Sequence, residues 1–150
     1  MGQFGLGPDD LDEKGRPQLH TWCVQLTKAL ADSRFEEQRE DGELGPSEDQ
    51  GGIETLAAGG MHTLAIDQKG QVRSWGINDG AALGRITATN PDPNNPGRFL
   101  PNDEFESWPF VVEELKKEGF RAVKVAAGDS VSVAVSDKGD VRAWGSFRVS

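Results

Sequence analysis

The chain has 150 residues, with 16 Lys and Arg against 25 Asp and Glu, which gives a net charge of −9. This acidic balance argues against nucleic-acid binding by the chain itself, because phosphate binding needs clustered basic charge. A single cysteine excludes an internal disulfide framework and a thiolate metal cage, and two histidines leave little for a His-based metal site. No apolar run approaches the roughly 18 residues of a membrane span. The 19 glycines are typical of short strands joined by tight turns.

The first third of the chain divides into two stretches. Residues 1–22 are predicted to be part of a first repeat, because GQFG at positions 2–5 resembles AALG at positions 81–84. Residues 23–50 are predicted to be a helical and acidic insertion. Apolar spacing without Pro or Gly favours a helix over 22–39. The acidic residues that follow end in Gly, Pro and Ser, which is typical of a solvated linker.

An internal repeat decides the fold. Residues 53–76 superpose without a gap on residues 122–145 at an offset of 69, and ten of the last 21 positions are identical. The two copies read IETLAAGGMHTLAIDQKGQVRSWG and AVKVAAGDSVSVAVSDKGDVRAWG. They define a second repeat unit over 51–85 and a third, truncated unit over 109–150.

Each copy is predicted to be a strand followed by a β-hairpin. The leading strands are 53–57 and 123–127. In the first hairpin strand, for example Val131–Val135, large apolar residues alternate with small ones, which gives the strand two different faces. The turns Asp67–Gly70 and Ser136–Gly139 fit a type I turn closed by a left-handed glycine. Repeated small antiparallel sheets with Gly and Trp signatures predict an all-β chain and an incomplete β-propeller.

The segment between the two copies is less regular. Residues 86–108 are rich in Pro and Asn and are predicted to be an extended loop. Residues 109–115 are predicted to form an outer strand that runs into a short helix ending at Gly119.

The repeats resemble a known family. AAGGMHTLAIDQKGQVRSWGINDGAALGR and AAGDSVSVAVSDKGDVRAWGSFR resemble the first blades of the regulator of chromosome condensation family. The ordered succession of GQFGLG, GGMHT, NDGAALGR, AAGDS and WGSFR makes the resemblance specific. It implies a seven-bladed propeller of four-stranded blades, of which this chain holds about two. Together with the helix predicted over 22–39, this gives an incomplete propeller with one inserted helix.

The resemblance also implies a function. Members of the family act in the nucleus as guanine nucleotide exchange factors for the small GTPase Ran, in nucleocytoplasmic transport. They meet chromatin or histones through parts of the family that are absent here. Exchange works by binding the empty GTPase more tightly than the loaded one, so no bond-making chemistry, metal or cofactor is expected. The chain accordingly shows no Walker loop, nucleophile elbow, Cys-x-x-Cys or zinc-helix motif. No membrane partner is expected.

We expect the chain to be an N-terminal fragment or a truncated gene model, because the family is already inside its first repeat where Met1 stands. Two alternatives remain open. The chain could be a repeat module of a larger scaffold or ubiquitin ligase. It could equally be an inactive fragment, since repeat arrays usually need at least three units to bury their faces.

Four residues are candidates for contact with the GTPase by resemblance. Asp129 lies on the AAGDS turn, where its carboxylate could instead cap its own turn. His62 matches the first His of the family's GTPase-facing rim, although its alignment with Val131 also fits a buried, hydrogen-bonded strand residue. Phe147 and Arg148 stand where a protruding wedge of the family begins, and Arg suits bidentate contact with carboxylates.

A second set of residues is predicted to be structural. The repeated tryptophans favour burial between blades over a stacking platform for bases, because the chain is acidic. The repeated glycines are expected at blade turns. The set comprises Trp75, Trp144, Gly59, Gly128, Gly70 and Gly139.

Overall fold

A computed structural model describes residues 11–16 and 53–147 of the chain. Residues 11–16 form a turn in which the Asp12 carboxylate accepts hydrogen bonds from two backbone amides. Most of the predicted first repeat lies outside the described residues. The predicted insertion over 23–50 and the candidate Arg148 also lie outside them.

The second repeat unit forms a four-stranded antiparallel sheet. Its strands lie in the order β1-β2-β3-β4. Their bounds are Ile53–Ala58 for β1, His62–Asp67 for β2, Val72–Gly76 for β3 and Phe110–Val111 for β4. The short β4 pairs with the middle of β3, opposite Arg73 and Ser74. The predicted hairpin and the predicted outer strand are therefore both present.

The third repeat unit forms a second sheet with the same pairing. Its strands are β5 (Ala122–Ala127), β6 (Val131–Ser136) and β7 (Val141–Gly145), in that order. His62 lies opposite Gly76 in the first sheet, and Val131 lies opposite Gly145 in the second. Both leading strands also have a register shift near their first residue. Residues that are 69 positions apart in the sequence therefore occupy equivalent positions in the two sheets.

The hairpin turns have the predicted chemistry. Gly70 and Gly139 adopt φ of 77° and 85°, the left-handed region that a glycine enters without a Cβ clash. The Asp67 carboxylate accepts the amides of residues 69 and 71, and the Ser136 hydroxyl accepts those of residues 138 and 140. A carboxylate and a hydroxyl therefore close the same turn in the two repeats.

The two sheets pack against each other through one apolar cluster. In β6 the buried positions are the small ones, Ser132, Ala134 and Ser136, so this strand turns its small face to the first sheet. In β2 both faces are buried around Leu64 and Ile66. The cluster comprises Ile66, Val72, Val112, Leu115, Phe120, Ala122 and Ala134, with Val125 and Trp144 packed against it.

The segment that joins β3 to β4 includes residues 86–108, which were predicted to be an extended loop. It contains a bridge between Pro91 and Phe99 and then a short helix, α1 (Asn102–Glu106), that the Pro and Asn content did not predict. After β4 comes α2 (Glu113–Lys117), which ends before Gly119 at a φ of 67°. This strand-to-helix succession is the one predicted for residues 109–119.

Candidate functional site

Four loops meet at one end of the two sheets, and we call them the loop rim. They are residues 59–61, 77–84, 128–130 and 146–147, which follow β1, β3, β5 and β7. Antiparallel pairing places the ends of alternate strands on the same side, so these loops share one rim. Hydrogen bonds join them across the two blades. The Gly60 amide donates to the Gly128 carbonyl at 3.0 Å, and the Ser130 hydroxyl donates to the Asp79 carboxylate at 3.1 Å.

Asp129 stands exposed on the turn between β5 and β6. The turn is closed by a 2.8 Å hydrogen bond from the Gly128 amide to the Val131 carbonyl. Among the described residues the Asp129 carboxylate accepts no hydrogen bond, so nothing there supports the alternative in which it caps its own turn. A Cβ at Gly60 would lie 2.8 Å from the Asp129 Oδ1. Glycine at position 60 therefore leaves room for this carboxylate.

His62 lies beneath the rim at the start of β2 and is only 2% exposed. Its Nε2 is 2.8 Å from the Ser132 Oγ, and that hydroxyl donates to the Ala82 carbonyl at 2.7 Å. Because the single hydroxyl proton of Ser132 is used on Ala82, the His62 Nε2 must carry a proton and donate it. Burial lowers the pKa of His62, and the Asp129 backbone opposes this effect. Burial thus disfavours the charged form of His62 and keeps its side chain away from the surface.

The Ala82 carbonyl is a shared acceptor between the blades. Besides the Ser132 hydroxyl, it accepts the indole Nε1–H of Trp144 at 2.9 Å. The equivalent Trp75 is 2% exposed within the first sheet. Trp75 is buried as predicted, whereas Trp144 is only half-buried and packs against the apolar cluster. Gly59 has no space for a Cβ because the His62 ring and the Gly128 backbone occupy it.

Phe147 places an apolar side chain on the rim. It is 66% exposed and follows Ser146, whose amide donates to the Ser130 carbonyl at 2.7 Å. Met61 is also exposed on the loop after β1. The rim therefore combines apolar side chains with the exposed carboxylates of Asp79 and Asp129.

A network of polar side chains holds the loop after β3. The Asn78 Oδ1 accepts the Leu83 amide at 3.0 Å, and its Nδ2 donates to the Arg85 carbonyl. The Arg85 guanidinium donates to the Ser74 carbonyl at 2.7 Å, and burial lowers its pKa to about 10 against the effect of Glu106. This loop is a fixed element of the rim.

Sequence reasoning did not identify Ser130 and Ser132 as members of the site. Ser132 aligns with Thr63 on the small face of the repeat, and that alignment gave no sign of its contact with His62. Asp79 is detectable from sequence as a polar residue in the loop that follows a Trp-Gly strand, three positions after Gly76. Its bond to Ser130 becomes visible only when the two blades are in place.

Other kinds of site find no support in the described residues. Across 11–16 and 53–147, no three His, Cys, Asp or Glu side chains form a group that could hold a metal ion. No helix in the same ranges has the length and apolar character needed to span a membrane.

Comparisons with known proteins agree with the repeat pattern. No protein-family model matches the chain. The chain is 41% identical over 91 residues to the human Regulator of chromosome condensation, covering 61% of this chain and 18% of that protein. It is 38% identical over 112 residues to the Guanine nucleotide exchange factor SRM1 of Saccharomyces cerevisiae, covering 67% and 23%. The chain thus spans about a quarter or less of the length of these relatives.

The fold is similar to that of a solved relative. The crystal structure of Prp20p from Saccharomyces cerevisiae is 32% identical to this chain and superposes with a TM-score of 0.56, covering 99% of the chain and 27% of Prp20p. The two repeated sheets, the shared sequence and the shared fold place this chain in the regulator of chromosome condensation family of β-propeller proteins.

Proposed function

We propose that this chain supplies neighbouring blades of a guanine nucleotide exchange factor for the small GTPase Ran. The observation that carries the proposal is Asp129, an exposed carboxylate on a turn that two blades hold, with no hydrogen bond among the described residues to compete with a partner. The similarity to an exchange factor, SRM1, supports the activity. For Prp20p, binding properties to Gsp1p and histones are described, which supports a GTPase partner.

The chemistry needed is recognition rather than catalysis. An exchange factor accelerates nucleotide release by binding the nucleotide-free GTPase better than the loaded one. The carboxylates of Asp129 and Asp79 offer charge-assisted acceptors to Lys, Arg or backbone N–H groups of the partner. Phe147 and Met61 supply apolar area that excludes water around those contacts. By resemblance, Arg148, which follows Phe147 in the sequence, adds a cation for contact with the partner.

We also propose a nuclear location and contact with chromatin or histones through other parts of a longer protein. The basis is membership of the family and the histone binding described for Prp20p. The net charge of −9 agrees with a chain that does not itself hold DNA.

A chimera tests the exchange function. The segment of SRM1 that matches this chain is replaced by this chain, which restores a complete propeller, and release of a fluorescent GDP analogue from Ran is followed. The chimera should accelerate release. Asp129→Asn should reduce the acceleration by at least about tenfold, because a partner charge would be left unpaired. Asp137→Asn is the matched control, since Asp137 is an exposed carboxylate on the hairpin turn at the opposite end of the sheet.

The outcomes separate the possibilities. A folded chimera with no acceleration, or equal rates for Asp129→Asn and Asp137→Asn, contradicts the proposal. In that case the repeat module of a larger scaffold becomes the better interpretation.

A further inference from the structure

His62 lies in the interface between the blades rather than on the surface that a partner could reach. The residue is 2% exposed, and its ring lies beside Gly59, where an added Cβ would be 2.9 Å from the His62 Cε1. The neighbouring blade closes the other side through the Gly128 backbone and Ser132. A direct contact between this imidazole and a protein partner would require the two blades to separate.

The turn that carries Asp129 is anchored on both of its legs by the first blade. The leg before Asp129 is held by the hydrogen bond from the Gly60 amide to the Gly128 carbonyl. The leg after it is held by the chain of hydrogen bonds that runs from His62 through Ser132 to the Ala82 carbonyl.

Ser130 adds a third anchor to this turn, since its hydroxyl donates to the Asp79 carboxylate. All three anchors come from the blade that does not carry Asp129. The position of the Asp129 carboxylate therefore depends on the hydrogen bonds between the first blade and the second.

We propose that His62 is a positioning residue that fixes the Asp129 carboxylate through Ser132 without touching the partner. This inference rests on the proposed exchange function for its effect on activity. The anchoring of the Asp129 turn by His62 does not depend on that function. The anchor requires an imidazole that donates from Nε2, because the Ser132 hydroxyl already donates its proton to the Ala82 carbonyl.

Two substitutions at His62 separate hydrogen bonding from bulk. His62→Gln keeps a donor at about the place of Nε2, whereas His62→Leu keeps apolar volume and removes the donor. In the chimera, His62→Leu should reduce the acceleration of GDP release about tenfold, and His62→Gln should restore most of it. Ser132→Ala removes the same bond from the other side and should act like His62→Leu, which keeps the test open if the leucine variant does not fold.

A double-mutant cycle distinguishes positioning from a general structural role. If His62 acts through Asp129, then Asp129→Asn should have little further effect in the His62→Leu background. Additive losses, or equal rates for His62→Leu and His62→Gln, would overturn the inference.

Amide hydrogen exchange of the folded chimera gives a readout that does not depend on the GTPase. His62→Leu should speed exchange of the Gly60 amide about tenfold relative to His62→Gln, because the loop contact with Gly128 loosens. If the chimera proves inactive but Gly60 exchange follows this order, the exchange function is wrong and the anchoring by His62 stands. Unchanged exchange at Gly60 contradicts the anchoring itself.

Discussion

The Nε of Arg73 lies 3.1 Å from the Oδ2 of Asp67, and the two side chains are only 5% and 9% exposed. Asp67 thus closes its hairpin turn and neutralises a buried guanidinium at once. In the next repeat the equivalent residues separate these tasks. Ser136 closes the turn, and Arg142 pairs at 3.1 Å with Glu118 on the surface, where both side chains are almost half exposed.

The first prediction follows from this difference in burial. In the chimera, Arg73→Met leaves the Asp67 carboxylate buried without its partner and should destabilise the protein by about 3 kcal/mol. The control is Lys117→Met, because the next blade of the chimera would cover Arg142; it removes the exposed pair with Glu114 and should cost less than about 1 kcal/mol. Thermal unfolding of the two variants measures the difference. Equal shifts in Tm would contradict the assignment of Arg73 to the buried ion pair.

The second prediction concerns the close approach of the blades at Gly84. This residue has a φ of 65°, and an added Cβ would lie 2.7 Å from the Trp144 Nε1. Gly97 has a φ of 84° and open space around it. Each change to Ala therefore costs about 1–2 kcal/mol in backbone strain. Gly84→Ala should cost about 1 kcal/mol more, because it also displaces the Trp144 bond to Ala82.

Tryptophan fluorescence of the two variants, made in the chimera, checks whether displacement of Trp144 causes the larger loss of stability. Gly84→Ala should change the emission because the indole of Trp144 moves, and Gly97→Ala should leave it unchanged. The same loss of Tm for both variants would mean that the approach of Trp144 adds nothing to the backbone strain.

The sheets could be predicted from sequence because their determinants are local. Alternation of residue size along Val131–Val135 and a turn ending at Gly139 specify a hairpin over fewer than ten residues. The repeat offset then transfers that hairpin to the other copy. The α1 helix escaped prediction because it is a single turn after Pro101 with no side-chain cap.

The candidate site could be predicted only in part, because its geometry is set between blades. The position of Asp129 on a turn follows from its repeat. That its carboxylate is free of hydrogen bonds among the described residues, and that His62 reaches Ser132 at a sequence separation of 70, depends on how two sheets pack. No spacing along the chain encodes that contact.

The third prediction is that the isolated chain is marginally folded and inactive. Val72 is 1% exposed where the second sheet covers it, whereas the equivalent Val141 is 57% exposed in the described structure. Such open apolar faces leave a repeat array short of burial and prone to pairing with other chains. The 150-residue chain should therefore melt broadly and leave GDP release from Ran at its intrinsic rate. A sharp cooperative melt, or clear acceleration of release, would contradict this.

The last prediction is a dependence of stability on pH that originates at His62. Burial lowers its pKa below the ordinary 6.5, so the folded protein keeps the neutral form while the unfolded chain takes up a proton. The contribution of His62 to stability is therefore fully present above about pH 6.5 and is lost as the pH falls below that value.

His62→Gln isolates this effect, since glutamine keeps the donor to Ser132 and does not titrate. As the pH is lowered from about 7.5 to about 5.5, the wild-type chimera should lose stability relative to the His62→Gln chimera, by up to about 1.4 kcal/mol per pH unit. Urea unfolding at a series of pH values measures this difference. If the difference in the free energy of unfolding between the two proteins stays constant across the series, His62 titrates equally in the folded and unfolded states. The conclusion that burial disfavours its charged form would then be wrong.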